Sequence, residues 1–330
     1  MNSSKYVIRA SIATLAKLGL IDLRMPFPME TIYLLQYSEN GCLAKCKFCP
    51  QSITNIVDKK FLSRVTWHTI SLDKLINSIL ANRSWIKRIC IQSIMKKGFI
   101  EEIINVIKYF RFNDIEIPIS VATTPISIKY LHILKELGVD HLGIGLDAMS
   151  PKVFKEMNKP YTWNIYMDFI KKAIYVFGRK HVTIHLIIGL GETPSETVNL
   201  IHRLIRLGAN IALFSYTPVK GLMLRLKRPD ISYYRAIQIL IHYLNEGYSP
   251  PDIVYIDNGR LFVKKRIIET ILENINEYLK IFLTLGCPYC NRPYYNENPK
   301  GPFYNYYSID HVKNHIPDLK YELLKIKGEQ

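Results

Sequence analysis

The chain has 330 residues, 48% of them apolar and 22% charged, which is enough apolar material for a sizeable core. No apolar run reaches the roughly 18 residues of a membrane span. Arg9 and Lys17 interrupt the first apolar stretch, so it does not read as a secretory signal, and a cytoplasmic chain without membrane contact is expected. A net charge of +16 fits a solvated surface or an acidic protein partner or substrate. Its basic residues are spread without a basic arm, which argues against nucleic acid.

In chain order, residues 4 to 18 read as an amphipathic helix ended by Gly19. Strand-like runs follow at 32–37, 87–92, 115–122, 141–147, 182–188 and 211–216, with helical patterns between them. Ser150-Pro151 starts one helix, and Thr193, Pro194 and Glu196 start another that ends at Gly208; Gly138 ends the helix before the fourth strand. Six such β-α units predict an α/β fold, a partial (βα)6 TIM-like barrel with its chemistry at the C-terminal strand ends. Beyond it come a helix at 232–246, an Asn258-Gly259 hairpin, and a helix at 265–281. The expected units are an N-terminal helical segment (1–25), a barrel (26–225) and a C-terminal α+β cap (226–330) that closes one end of the barrel.

Six cysteines divide into Cys42, Cys46 and Cys49 on a loop after the first strand, and Cys90, Cys287 and Cys290 elsewhere. The C-x-x-x-C-x-x-C loop offers three thiolates, enough for three irons of a [4Fe–4S] cluster with one iron left open. A structural zinc site wants four protein ligands. For Cys287 and Cys290 two readings stand. One is a zinc site completed by His311 and His315, as C-x2-C and H-x3-H. The other is a second iron–sulfur site shared with Cys90.

The cysteine loop, with Phe48 before its last cysteine, resembles the signature of the radical S-adenosylmethionine (SAM) family, and the resemblance covers about residues 5 to 220. "HLIIGLGET" (185–193) is similar to the family's fifth-strand segment, which implies SAM contacts near Ile187, Gly189, Gly191 and Glu192. "GLDAMSP" (145–151) resembles the fourth-strand end of biotin synthase, which implies that Asp147 lies near the SAM ribose. The Gly-Gly-Glu segment common after the second strand is absent; the chain reads "CIQSIMKKG" there. Cys90 resembles a biotin synthase cysteine that holds an auxiliary cluster. Arg260 invites comparison with that enzyme's arginine ligand, but its Asn-Gly hairpin suggests a surface side chain. "CPYCNRPYYNENPKGPFYNYY" and "FCPQ" look like archaeal biotin synthase-like proteins, some of which form a two-component lipoyl synthase.

The resemblance implies a [4Fe–4S] cluster and SAM at Cys42, Cys46 and Cys49, generating a 5′-deoxyadenosyl radical, and an auxiliary iron–sulfur cluster at Cys90, Cys287 and Cys290. Arg292, Tyr294, Tyr295, Asn296 and Glu297 would position cluster or substrate. The implied reaction is sulfur insertion into an octanoyl chain on a carrier protein or peptide, with a partner radical SAM enzyme and an electron donor. The alternatives are a biotin synthase acting on dethiobiotin, or a radical SAM-like protein whose zinc-stabilised tail binds nucleic acid or a partner.

Overall fold

The computed structural model describes residues 7–329. The expected N-terminal helix is corrected. Residues 4–6 lie outside the described residues, and the chain then forms strand β1 (Val7–Ser11) before a short helix α1 (Ile12–Lys17). β-Branched Val7 and Ile8 favour extended backbone, and Ser11 caps α1 by accepting from the Thr14 amide. Strands on both sides satisfy β1. It pairs antiparallel with β2 (Thr31–Gln36) and with β4 (Val65–Ser71), which itself hairpins with β3 (Phe61–Leu62).

The remaining strands follow the sequence expectation closely. They are β5 (Arg88–Gln92), β6 (Ile119–Thr123), β7 (Val139–Asp147), β8 (Val182–Ile188) and β9 (Asn210–Ser215). β6 starts later than expected because Pro118 has no amide to give to a ladder. β2 and β5 to β9 pair in sequence, all parallel. Crossover helices α2 (Leu72–Ala81), α3 (Phe99–Phe112), α4 (Ile128–Glu136), α5 (Pro151–Glu156), α6 (Trp163–Phe177) and α7 (Pro194–Leu207) separate them. The nine-stranded sheet runs β3-β4-β1-β2-β5-β6-β7-β8-β9 and curls into a half-barrel. Local chemistry marks the helix ends: Thr193 and Glu196 form a reciprocal capping box on α7, and Gly208 ends that helix at φ +101°.

The cap begins with α8 (Ile231–Asn245), a short α9 (Pro250–Ile253), and a hairpin of β10 (Val254–Asp257) and β11 (Arg260–Val263) around Asn258-Gly259. The helix expected over 265–281 breaks at Asn274 into α10 (Lys265–Glu273), α11 (Ile275–Tyr278) and a 3-10 turn, Leu279–Phe282. α12 (Ile309–Lys313) and α13 (Ile316–Leu324) follow. Arg235 is fully buried and ties this region together. It donates to Glu322 on α13 at 2.8 Å, to Gln238 at 2.7 Å and to the carbonyls of Phe303 and Tyr304.

Between Leu283 and Ser308 the chain is irregular and returns to the barrel. Thr31 opens β2 and donates to the Tyr289 carbonyl at 2.7 Å; Arg88 opens β5 and donates to the Pro288 carbonyl at 3.1 Å. The Cys287–Cys290 turn therefore sits at the N-terminal end of the strands. The segment then climbs to the opposite end. Ser63 donates to the Tyr295 carbonyl at 2.6 Å, and Asn296 donates to the Ser215 carbonyl at the end of β9 at 2.9 Å. One stretch thus closes both the floor and the open side of the half-barrel.

Candidate active site

Strand alternation turns Arg88, Cys90 and Gln92 of β5, and His185 and Ile187 of β8, toward a cavity of about 260 Å³ inside the half-barrel. Gly145 of β7 also lines it, and the missing side chains at Gly143 and Gly145 leave room. A Cβ on Gly143 would lie 2.9 Å from His185 Nε2. Phe48 and Cys49 bound the cavity at the C-terminal end of the strands; Cys287 and Cys290 bound it at the N-terminal end.

The Cys42–Cys49 loop is shaped by its own backbone. The Cys42 amide donates to the Gln51 carbonyl at 2.6 Å, and the Ile53 amide donates to the Cys42 carbonyl at 2.8 Å. Gly41 is required where the loop turns: it lies at φ +77°, and a Cβ there would meet the Gln51 carbonyl at 2.4 Å. Asn55 is the hub. Its amide nitrogen donates to the carbonyls of Cys46, Lys47 and Cys49 at 3.2, 3.3 and 2.8 Å, and its oxygen accepts from the Met223 amide at 2.8 Å. Burial pushes the Cys46 thiol up to about 11 and raises Cys49 further, with neighbouring cysteine sulfurs adding to both. Buried thiols of this kind ionise only where a cation compensates them. Three soft donors on one loop, with the lumen open beside them, suit an iron–sulfur cluster with one free iron. Among the described residues no three His, Cys, Asp or Glu groups stand gathered at metal-binding distances, so ligation would draw this loop in around the group.

Beside the loop lies a buried ion pair that sequence reasoning missed. Asp147, at φ +65° where β7 shifts register against β8, accepts from Lys159 at 2.5 Å. Lys159 also donates to the Gly145 carbonyl at 2.7 Å and stands 5.8 Å from the Phe48 ring centre. Burial alone would disfavour its ammonium, but Asp147 holds it above the ordinary lysine value. Asp147, Phe48, Ile187 and Lys159 all line the cavity. Gly189, Gly191 and Glu192 do not line it. They shape the turn after β8, where the Glu192 carboxylate accepts from the amides of Gly189 and Leu190 at 2.7 and 2.9 Å.

At the floor, Cys90, Cys287 and Cys290 line the cavity together. Burial raises the Cys90 thiol well above its usual value and raises Cys290 too; Cys287 adds to both shifts and Arg292 opposes both. Tyr33 approaches the Cys290 sulfur at 3.8 Å, and its oxygen accepts from the amides of Asn291 and Arg292 at 2.9 and 3.0 Å. Arg292 lies 3.8 Å over the Phe214 ring and donates to the Leu285 carbonyl at 2.8 Å, while its buried Nε and Nη1 have no hydrogen-bond partner among the described residues. Tyr295 and Asn296 also line the cavity. Tyr294 instead packs on Phe27 and Tyr307, and buried Glu297 accepts from the Asn296 and Asn305 amides, bracing the loop.

Among the described residues, Cys287 and Cys290 are gathered at metal-binding distances neither with His311 and His315 nor with Cys90; Cys90 shares the cavity lining with them and the two histidines do not. His311 accepts from the Tyr307 amide at 3.4 Å and stacks on the Tyr307 ring, and His315 lies against Phe303 and Asp318. Arg260 is an exposed hairpin residue over Phe262 and does not line the cavity. Besides Lys159, sequence reading missed Tyr33, Asn55, Phe214 and the lumen role of His185. Only His185 had a usable signal, since it alternates with Ile187 on a recognisable strand.

The radical SAM superfamily pattern matches residues 38–204. Among solved structures, methylornithine synthase superposes with a TM-score of 0.53 at 10% identity, over 67% of this chain and 64% of that one. SuiB of Streptococcus suis, bound to S-adenosylmethionine, gives 0.52 at 16% identity over 72% and 52%. The FeFe-hydrogenase maturase HydG of Carboxydothermus hydrogenoformans gives 0.50 at 17% identity over 67% and 53%. The chain thus spans about half to two thirds of these three structures, and no curated protein matches its sequence. The family pattern covers half of the chain and the superpositions give the same barrel: the chain belongs to the radical SAM superfamily.

Proposed function

We propose that the protein is a sulfur-inserting radical SAM enzyme that acts, as a lipoyl synthase component, on an octanoyl chain carried by a lysine of a carrier protein or peptide. One observation carries this reading: a second set of three cysteines, Cys90, Cys287 and Cys290, lines the same lumen as Cys49 from the opposite end. Four residue steps along β8, from Thr183 to Ile187, separate the two levels, about 13 Å at strand rise. A substrate carbon held between them would face a hydrogen-abstracting group on one side and a sulfur donor on the other, so that the carbon that loses hydrogen is the carbon that bonds sulfur.

The donor set at the floor suits iron and sulfide, being three soft thiols without histidine. When bound, the first cluster with SAM would supply a radical that abstracts hydrogen, and an auxiliary cluster would supply the sulfur. The chain's own residues do the rest. Asp147 accepts hydrogen bonds at the cofactor end, Lys159 holds that carboxylate in place, and Ile187 gives an apolar wall. Arg292 and Tyr33 fix the floor around Cys290. The tail excludes water from the open side, so the radical meets only the positioned substrate. An electron donor and a partner radical SAM enzyme belong to the same proposal.

The test is anaerobic reconstitution with iron, sulfide, SAM and reductant, with an octanoyl-lysine peptide in one arm and dethiobiotin in the other. Mass spectrometry should find 5′-deoxyadenosine and one added sulfur on the peptide. Sulfur on dethiobiotin alone would make the protein a biotin synthase. Sulfur on neither would overturn the insertion reading.

A further inference from the structure

The loop that carries the first three cysteines has an outer face as well as an inner one. Leu43, Ile53 and Ile56 are exposed on it, at 53%, 46% and 91%. The loop after β9 lies against it. The Ile56 amide donates to the Gly221 carbonyl at 3.3 Å, the Met223 amide donates to Asn55, and Met223 is 59% exposed. Isolated exposed apolar residues are ordinary, but several on two hydrogen-bonded loops form a patch.

The charge of these loops is one-sided. Residues 41–64 and 218–229 hold nine Lys and Arg and one acid, Asp58, which pairs with Lys60 at 3.0 Å. Lys59 is spent inside the loop on the carbonyls of Pro50, Ser52 and Asn55. Lys45, Lys220, Arg225 and Lys227 are exposed beside the apolar patch. The inner ends of the same loops, at Cys49 and Thr217, line the lumen. A basic, apolar rim therefore borders the C-terminal end of the cavity.

We infer that this rim, built from residues 43–56 and 220–227, docks an acidic protein domain that presents its substituted lysine to the lumen. This rests on the proposed carrier-bound substrate. The apolar patch supplies buried contact, and the exposed lysines and arginine steer an acidic body and reject a basic one. A free small molecule would have no use for a face directed outward from the cavity.

The experiment uses the full reconstituted chain and its K220E/R225E/K227E variant, with two substrates: an octanoylated carrier domain of net negative charge, and a short octanoyl-lysine peptide. Wild-type protein should bind the domain about tenfold more weakly at 300 mM than at 50 mM salt, and the variant should bind it at least about tenfold more weakly at low salt. Peptide turnover should be unchanged in the variant, which also shows that it folds. Equal binding of the domain by both proteins, or no binding by wild type at low salt, overturns the docking inference. Absence of sulfur addition to the peptide by wild type tells against the substrate reading instead, and the binding comparison is read independently of it.

Discussion

The Thr183 hydroxyl stands 3.6 Å from the Cys287 sulfur, two residues below His185 on β8 and at the end of the lumen opposite the Cys42–Cys49 loop. A cysteine contributed from the last fifth of the chain is thereby fixed to the wall of the barrel. The contact makes the C-x-x-C turn part of the lumen floor. In the proposed reaction its chemistry is separable from that of the first loop.

Cys290→Ala should test that separation. The variant is expected to cleave SAM and release 5′-deoxyadenosine, yet to add no sulfur to an octanoyl-lysine peptide, with iron content falling but not reaching zero. Cys49→Ala should stop SAM cleavage altogether. Equal loss of cleavage in both variants would mean that the two cysteine sets do not act separately.

Asn55 offers a test of the loop without touching a thiol. Asn55→Ala removes four hydrogen bonds among buried or half-buried groups. The carbonyls left behind regain some water, so a cost of about 1–3 kcal/mol is expected, concentrated in the loop. Reconstituted iron at the first site should fall, while the urea midpoint of the barrel moves little. An unchanged iron stoichiometry would show that the loop holds its shape without this side chain.

The buried Lys159–Asp147 pair predicts an asymmetric double-mutant cycle. Lys159→Met leaves Asp147 as an uncompensated buried charge and should destabilise by about 3–5 kcal/mol. Adding Asp147→Asn to it should recover part of that loss, because the remaining charge goes too while the side chain still tolerates φ +65°. Urea denaturation of the three variants checks this. Additive single effects would show that the two side chains do not depend on each other. SAM affinity should fall in every variant lacking Asp147.

Much of the frame was legible because it is written locally. Thr193 with Glu196, Ser150-Pro151, Gly208 and Asn258-Gly259 each set backbone geometry within a few residues. The parallel strands declare themselves as short apolar runs. The route of residues 283–308 was not legible. Tyr289, Arg292 and Tyr294 take positive φ values of 64°, 38° and 59°, and their turns are held by Thr31, Tyr33 and Leu213, more than 75 residues away. Lys159 escaped for the same reason, since its meaning lies in a turn 12 residues earlier. β1 escaped because a six-residue helix follows it directly and blurs the period.

Acid should destabilise the protein through two half-buried histidines. Burial lowers His185 to about 4, with nearby Arg292 adding to the shift, and burial lowers His311 to about 4, with His315 adding. Both therefore fold as neutral rings, whereas the unfolded chain protonates them near 6.5. Between those values the unfolded state binds more protons, so stability rises with pH from about 4 to 6.5 and is level above that for these groups. His311→Gln should reduce the slope of stability against pH across that window. Because His311 lies in the Phe303–Tyr307 aromatic cluster, the change should leave SAM cleavage at pH 7.5 near wild type. Urea midpoints measured from pH 4.5 to 7.5 decide it. A slope identical to wild type would place the protonation that drives acid unfolding elsewhere in the chain.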